Sequence, residues 1–209
     1  MASIVKVDTI QDQDGNNIIN ESADTITIGA SGDTITVPTG ATLTVPNGGL
    51  TGQNYPAFEA LGNGTQNLSN ATETLVEFPN ERFDTNSCYD NTSGNYKFTP
   101  NVAGKYFIYT RIRGFSTTDD QMDFMTVRLY KNGNRINTNR INTDQSGSSG
   151  DTLHDISVNY NFIQEANGTT DYFQIKAQIN VNSGTPALYG DDVGSTGEDL
   201  VFGAFRIGA

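Results

Sequence analysis

Few residues of this sequence have the type and spacing that catalysis requires. The only histidine, His154, adjoins Asp155 beside a Ser/Gly-rich stretch, and the only cysteine, Cys88, has no histidine near it in sequence. A general base or a nucleophile needs such a partner within hydrogen-bond reach, so we interpret His154 as a solvated loop residue and Cys88 as an inert thiol. The chain also lacks a Walker-type phosphate loop, a dinucleotide fingerprint and Cys/His zinc spacing. The sequence therefore predicts a protein that is not an enzyme and that takes no cofactor.

Carboxylates remain as candidates for chemistry, because the chain contains 24 aspartates and glutamates. Two of them at a fixed separation could cleave a glycosidic bond, but the sequence does not single out a pair. Two clusters of loop acids could offer oxygen ligands to calcium, although neither has the spacing of an EF-hand. They are Asp119-Asp120 with Asp123, and Asp191-Asp192 with Glu198-Asp199. We expect solvated acids and no metal site, with a calcium site left open as an alternative.

The formal net charge of −12 bears on the choice of partner. An acidic surface repels phosphate backbones and anionic lipids, so neither nucleic acid nor a membrane is an expected partner. No apolar run approaches the ~20 residues that span a bilayer. The N-terminus lacks the basic and apolar regions of a secretory signal, so synthesis in a cytoplasm is expected.

Positive charge is concentrated around one predicted hairpin turn, Asn132-Gly133, a dipeptide that favours the tight turn between antiparallel strands. The residues concerned are Arg128, Lys131, Arg135 and Arg140. They could contact acidic neighbouring subunits or an anionic surface polysaccharide, or they could form ordinary surface ion pairs.

The elements that must position these groups are strands, because no segment shows a sustained helical period. The run over 106–112 is too continuously apolar for a half-exposed strand, which predicts a central strand with both faces covered. Turn-forming residues bound the other apolar runs. The strands predicted from residue 53 onwards are 57–61, 73–78, 96–99, 106–115, 124–130, 134–137, 155–163, 171–180, 188–189 and 200–207.

Several spaced residues resemble the signature of the complement globular-head domain, the jelly roll shared with tumour-necrosis-factor-like proteins. They are Phe78, Asp84, Tyr89, Phe98, Gly104 and Tyr106, followed by Leu129–Gly133 as strand and turn and by a closing strand over 201–207 with Phe202 and Phe205. Eight residues rather than six separate Tyr89 from Phe98, and Ile108 and Thr110 stand where the family prefers aromatics. The resemblance covers residues 53–209. It implies an all-β, antiparallel jelly-roll head that forms a homotrimer, with its core built on Phe78, Tyr89, Phe98, Gly104, Tyr106, Phe202 and Phe205.

The segment before the head contains a threefold repeat of threonine and aliphatic residues, at 24–28, 33–37 and 41–45. Alternation places the aliphatic side chains on one face. Six such side chains would contribute at most ~9–18 kcal/mol when buried, whereas ordering about 23 residues costs ~23–46 kcal/mol of backbone entropy. We therefore expect a multi-chain β-shaft, with three edge strands folded back on the head as the alternative. The predicted trimer-shaft core is Ile26, Ile28, Ile35, Val37, Leu43 and Val45.

The N-terminal run from Val7 to Pro46 resembles the beginnings of fibre and structural proteins of marine tailed bacteriophages. This resemblance implies a virion appendage. Residues 1–23 would anchor it to other virion proteins, residues 24–52 would form the shaft and hinge, and residues 53–209 would form the head. The expected location is the virion, after synthesis in the host cytoplasm.

The expected function is multivalent binding of a host-surface glycan or protein by the projecting head. Two loops of the head are the candidates for this contact, and the residues singled out in them are Asp144, Ser146, Ser149, Tyr189, Asp191, Asp192 and Glu198. Two alternatives stay open. One is a capsid decoration or head-fibre protein that stabilises the shell, and the other is a bacterial adhesin.

Overall fold

The computed structural model describes residues 9–11, 17–22, 25–28, 32–43, 55–118, 121–143, 154–190 and 199–208. The chain divides into two compact units, Met1–Leu50 and Thr51–Ala209. No described residue lies in a helix, and the model therefore contains no helix able to cross a membrane within these ranges.

The first unit contains one antiparallel sheet of three strands, in the order β1-β2-β3. The strands are β1 (Thr9–Gln11), β2 (Asn17–Ser22) and β3 (Thr25–Ile28). This sheet includes residues from both the predicted anchor, 1–23, and the predicted shaft, 24–52. The first of the three repeats is therefore paired with the segment that precedes it.

The second repeat does not form the strand predicted over 33–37. Residues 32–43 contain turns and irregular backbone only, and Ile35, Val37 and Leu43 are exposed, as is Ile28 in β3. The physical reason is that no strand of the described chain offers its backbone to this segment, and an unpaired extended segment is satisfied by water alone. Val45 and the side chain of Ile26 lie outside the described residues, so the shaft itself stays a prediction.

The described residues of the second unit form thirteen strands. They are β4 (Ala57–Leu61), β5 (Thr65–Asn67), β6 (Thr74–Leu75), β7 (Asn80–Asp84), β8 (Tyr89–Asp90), β9 (Lys97–Phe98), β10 (Ala103–Ser116), β11 (Met122–Lys131), β12 (Asn134–Asn142), β13 (Asp155–Asn167), β14 (Phe173–Val181), β15 (Pro186–Tyr189) and β16 (Leu200–Gly208). All ten strands predicted for the head are present. Sequence reasoning missed β5, β7 and β8.

The thirteen strands form two antiparallel sheets that face each other. The first sheet runs β13-β10-β16-β4-β7, with β15 and β5 continuing it beyond the end of β16. The second sheet runs β12-β11-β14-β9-β8, and β6 adds to β14. The chain passes from β10 in the first sheet to β11 and β12 in the second, then to β13, β14 and β16 in alternate sheets. This crossing pattern is that of a jelly roll, the fold class that the sequence predicted.

The space between the sheets contains a cluster of packed aromatic rings among aliphatic side chains. Phe58 is central: its ring centroid lies 4.6 Å from that of Tyr89, 4.8 Å from that of Phe98 and 5.0 Å from that of Phe202, which it meets edge-on. Stacked and edge-to-face pairs of this kind add stability beyond the burial of their area. The core therefore stabilises the contact between β4, β8, β9 and β16.

The residues that carry the resemblance to the complement head have different positions relative to this core. Phe78, Tyr89, Phe98, Tyr106 and Phe202 are buried in it. Gly104 stands at the start of β10 with a φ of 150°, where a Cβ would lie 2.4 Å from the Gly208 carbonyl oxygen. Phe205 corrects the expectation that it belongs to the core. Because Phe202 and Ala204 point inward, alternation along β16 turns Phe205 outward, where it is half-buried.

Strand β10 occupies the middle of the first sheet, bonded to β13 along one edge and to β16 and β15 along the other. Its inward side chains, among them Tyr106, Ile108 and Ile112, are fully buried. The side chains between them point outward and remain partly exposed. The expectation that both faces of this strand are covered is therefore wrong for a single chain. The outward face is apolar enough to be covered, yet nothing in the described chain covers it.

Candidate functional site: the open face of the first sheet

We call the outward side of β13, β10, β16, β4 and β7 the open face. The strand registers arrange its side chains in rows that cross the sheet. The first row is Ile163, Phe107, Phe205 and Ala57; the second is Asn161, Tyr109, Gly203, Glu59 and Phe83; the third is Asn159, Arg111, Val201, Leu61 and Asn80. The face thus changes from apolar at the first row to polar and charged towards the end of β10.

The apolar end of the open face is an aromatic pair with an aliphatic neighbour. The rings of Phe107 and Phe205 lie 5.4 Å apart, and that of Tyr109 lies 6.2 Å from Phe107. Ile163 sits opposite Phe107 on the edge strand β13 with 61% of its surface exposed, and Ile207 is exposed on β16. Contiguous apolar side chains that remain accessible in this way are typical of a surface that contacts another molecule.

The middle of the open face is organised by a glycine. A Cβ on Gly203 would lie 2.3 Å from Cζ of Tyr109, so the tyrosine ring rests directly on the glycine backbone. From there the Tyr109 hydroxyl donates to Glu59 Oε2 at 2.6 Å, and Arg82 Nη1 donates to Glu59 Oε1 at 2.5 Å. Burial, together with the hydrogen bond to Glu59, raises the pKa of Tyr109. The cluster holds its polar atoms internally and presents the flat ring outward.

The charged end of the open face is centred on Arg113. Its Nη2 donates to Asp155 Oδ2 at 2.7 Å and its Nη1 donates to Asp199 Oδ2 at 2.9 Å, and its guanidinium carbon lies 5.3 Å from the ring centroid of Tyr189. The hydrogen bonds to Asp155 and Asp199 raise the pKa of Arg113, which stays charged. This one side chain, which belongs to β10, contacts residues of β13 and β15 and the residue before β16.

A cleft of about 290 Å³ opens beside Arg113. Its lining residues are Arg113, Phe115, His154, Asp155 and Tyr189. The Phe115 ring lies 6.2 Å from that of Tyr189 and 6.4 Å from that of His154. The lining combines the Arg113 guanidinium and the Asp155 carboxylate with aromatic rings, so the cleft is suited to holding a small polar ligand against aromatic surface.

The outward side of the second sheet carries a comparable cluster. Glu73 accepts from the Tyr130 hydroxyl, lies 3.1 Å from Arg128 Nη1 through Oε2 and lies 3.8 Å from Lys176 Nζ. Burial, then the bond to Glu73, raises the pKa of Tyr130, and Arg128 Nη2 donates to Gln178 at 2.8 Å. One carboxylate thus serves two cations and a hydroxyl.

Cys88 is buried and takes part in a turn rather than in chemistry. Asp84 accepts hydrogen bonds from the N–H groups of Cys88 at 3.0 Å and Tyr89 at 2.8 Å, and from the Cys88 thiol at 3.1 Å. Burial, then the bond to Asp84, raises the pKa of the Cys88 thiol, so the reactive thiolate is disfavoured. Burial alone would raise the pKa of Asp84, but the backbone bonds outweigh it and lower that pKa.

The structure describes only part of the predicted host-contact loops. Tyr189 lies at the end of β15 with 40% of its surface exposed, next to Arg113. Asp144, Ser146, Ser149, Asp191, Asp192 and Glu198 lie outside the described residues. Within the described ranges, no three His, Cys, Asp or Glu side chains come together as metal ligands, and Asp119 and Asp120 fall outside those ranges.

Sequence reasoning did not find the open face, although the signal was present. Reading β10 at a period of two separates Lys105, Phe107, Tyr109, Arg111, Arg113 and Phe115 from the inward residues. The aspartates around Arg113 lie 42 and 86 residues away in sequence. Only the register of the folded sheet brings them together.

Comparisons with known proteins supply no function for the chain. No protein-family model matches the chain, and no curated protein matches it. Among solved structures, the chain is similar to the globular domain of zebrafish complement 1qA, with 16% identity, a TM-score of 0.48, and coverage of 73% of this chain and 97% of that one. It is also similar to the tumour necrosis factor Eiger from S. frugiperda, with 12% identity, a TM-score of 0.49, and coverage of 74% and 93%. The strand order described above carries the conclusion that the second unit is an antiparallel jelly roll.

Proposed function

We propose that this chain is a non-enzymatic virion appendage whose jelly-roll heads associate in threes through the open face. The observation that carries the proposal is the aromatic end of that face, where Phe107 and Phe205 are partly exposed and Ile163 is exposed. Covering apolar surface of this kind is the main driving force of association. The number three comes from the resemblance of the sequence to the complement head.

The character of the open face favours a second copy of the chain over a charged partner. Glu59 is neutralised by Arg82, and Arg113 by Asp155 and Asp199. An interface between copies must bury its charges in pairs, since an unpaired buried charge is costly. The flat Tyr109 ring, which lies over Gly203, adds a rigid apolar surface of the kind enriched at interface centres.

The first unit supports the same proposal from another direction. The aliphatic side chains of Ile28, Ile35, Val37 and Leu43 are exposed in the single chain. Three copies side by side would give each segment neighbouring strands and an apolar axis, as the sequence repeat predicts. The role of residues 1–23 as the anchor to other virion proteins rests on the resemblance to phage fibre proteins.

Host binding by the head is the last part of the proposal. The cleft beside Arg113 is bordered by Tyr189, which belongs to one predicted host-contact loop, and by His154, four residues past the end of the other loop, 144–150. Repeating a weak site three times on one appendage, and on many appendages, raises avidity without any catalytic group.

The test is the position and copy number of the protein on virus particles. Immunogold labelling with antibodies against the full chain should mark regularly spaced projections on particles that encode it. Sedimentation equilibrium of the purified chain should give three times the 22.6 kDa chain mass. Absence of the protein from purified particles would overturn the appendage, and a monomer at micromolar concentration would overturn the assembly. Labels spread evenly over the capsid shell would instead indicate a decoration protein.

A further inference from the structure

The edge strand β12 places two arginines on one surface by means of a bulge. Its sequence repeats Asn-Arg-Ile-Asn after five residues, as 134–137 and 139–142. In a regular strand a spacing of five would turn Arg135 and Arg140 to opposite faces. The register shift opposite Leu129 and Tyr130 leaves Ile136 without a partner. Because the bulge adds one residue, Arg135 and Arg140 both face outward.

The outward direction of both arginines follows from their partners on β11. Arg135 pairs with Tyr130 and Arg140 pairs with Thr126, which alternate with the core residues Val127 and Leu129. Both guanidinium groups therefore lie on the outer side of the second sheet, along its exposed edge.

Neither arginine is neutralised within the described chain. No carboxylate of the described residues lies within ion-pair distance of Arg135 or Arg140. The guanidinium carbon of Arg140 lies 3.7 Å from the ring centroid of Phe124, and its Nε donates to the neutral amide oxygen of Asn142 at 2.5 Å. These contacts hold the group in place and leave its charge uncompensated.

Other cations of the same sheet are neutralised. Lys131 lies 2.9 Å from Asp171, Lys97 lies 3.8 Å from Asp90, and Arg128 and Lys176 share Glu73. Among the described residues, the edge strand thus carries two positive charges without an ion pair, on a chain whose net charge is −12. Such a local reversal of sign attracts an anion to that edge.

The spacing of the two arginines indicates an extended ligand. Discounting the bulge, four strand steps separate them, or about 13 Å at ~3.3 Å per step. One small anion cannot reach both. The exposed Thr138 between them and Asn142 beside Arg140 can bond hydroxyl groups, whereas guanidinium groups bind carboxylate, sulfate or phosphate with two parallel bonds.

We propose that the outer edge of β12 is a binding site for an acidic polysaccharide, with Arg135 and Arg140 each holding one acidic group of the chain. A polymer of sugars supplies both the spaced charges and the hydroxyls that this edge can bind. The inference deepens the proposed function, since it names a class of host-surface ligand for the head. The site lies on the sheet opposite the open face, so assembly through that face leaves it accessible.

The experiment measures binding of the full chain to alginate, a polyuronate, and to dextran, a neutral polymer, by affinity electrophoresis and biolayer interferometry. The wild type should bind alginate at low salt and should not bind dextran. The double variant Arg135→Gln/Arg140→Gln should bind alginate at least 10-fold more weakly, with the slope of log K against log salt reduced by about 2. The control Lys97→Gln/Lys176→Gln removes the same charge from paired positions of the same sheet and should change affinity less than 3-fold.

Three results would overturn the inference. They are no alginate binding by the wild type, equal weakening by the control, and a lower oligomer mass for the arginine variant. The last result would assign the arginines to a contact between copies of the chain. Absence of alginate binding by the wild type, with particle labelling as expected, counts against this inference alone. Failure of particle labelling with alginate binding intact counts against the appendage alone.

Discussion

The two outward faces of the sandwich each carry a tyrosine, a glutamate and an arginine in contact, but the exposure of the charged members is reversed. On the open face Glu59 is 14% exposed and Arg82 is 41% exposed. On the second sheet Arg128 is 11% exposed and Glu73 is 28% exposed. On the open face the carboxylate is the covered member of the pair, and one exposed cation, Lys105 at the start of β10, has no ion pair among the described residues. The second face covers a cation, and unpaired cations remain along its edge.

This difference would let one fold separate the two proposed tasks. A face on which Glu59 and Arg113 are paired and the aromatic rings are partly exposed is suited to burial against another copy. A face with uncompensated charge is suited to a solvated, salt-sensitive contact, because long-range attraction survives only where the charge is not neutralised.

The strongest test places a charge on each face at matched isoleucines of the two edge strands. Ile163→Asp on β13 should weaken association by roughly 100-fold, about 3 kcal/mol, because the carboxylate would be buried unpaired between copies. Ile136→Asp on β12 should leave the mass unchanged, since Ile136 lies away from the open face. Both residues are exposed in the single chain, so neither change should unfold it. Sedimentation velocity over a concentration series measures the difference, and equal behaviour of the two variants would contradict the assembly face.

The second test adds a methyl group at Gly203, on whose backbone the Tyr109 ring rests. Gly203→Ala should destabilise the head by about 2–3 kcal/mol, because the new methyl group would overlap the tyrosine ring that lies 2.3 Å from its position. Gly208→Ala, on the same strand, has no atom within 4 Å of its Cβ position and should change stability by less than about 0.5 kcal/mol. Urea unfolding compares them. Equal urea midpoints for the two variants would show that the position of the Tyr109 ring does not require a glycine at residue 203.

The third test compares the two glutamate clusters. Glu73→Gln should lower the free energy of unfolding by about 2 kcal/mol. The change removes the negative charge that faces the covered Arg128 and Lys176, and so leaves two cations side by side. Arg82→Gln should cost less than about 1 kcal/mol, since Arg82 is largely solvated and Glu59 keeps its bond from Tyr109. The larger loss of stability should therefore come from Glu73→Gln on the second sheet. A larger loss from Arg82→Gln would contradict the assigned exposures.

The smallest effect is the contribution of two aspartates to stability, which disappears at acidic pH. The pKa of Asp84, in the turn after β7, is lowered by backbone hydrogen bonds that outweigh burial, and the pKa of Asp171 is lowered first by its bond from Asn132. A folded-state pKa below the unfolded value means that the ionised group stabilises the fold above the unfolded pKa. This stabilisation disappears as pH falls through the folded pKa. Asp84→Asn and Asp171→Asn should each lose about 1 kcal/mol near pH 6 and should resemble the wild type more closely near pH 3. Urea midpoints at the two pH values test the sign.

Strong local patterns made most of the head predictable. The alternation along β13 and β14 and the continuous apolar run of β10 gave strands near their observed bounds. Strands β5, β7 and β8 were missed because their sequences, Thr-Gln-Asn, Asn-Glu-Arg-Phe-Asp and Tyr-Asp, are short and mostly polar. They exist because neighbouring strands offer them a ladder, which a sequence window does not contain.

The parts of the site that sequence could not give are those that depend on register. The position of Gly203 under Tyr109 requires that β10 and β16 pair at particular residues. The common face of Arg135 and Arg140 requires a bulge that a regular strand would lack. The second repeat shows the effect of a missing neighbour. Its alternating sequence fits a strand, but the described part of the single chain supplies no strand to pair with it.

The position of β4 has a mechanical consequence for a head held by its N-terminal side. This strand is the first of the head in the chain, and it is bonded to β16 on one edge and to β7 on the other. A pull on the preceding segment would act along β4, loading both ladders in shear, so that many hydrogen bonds must yield together rather than one after another. Tension would then spread into the sheet through β16 to β10.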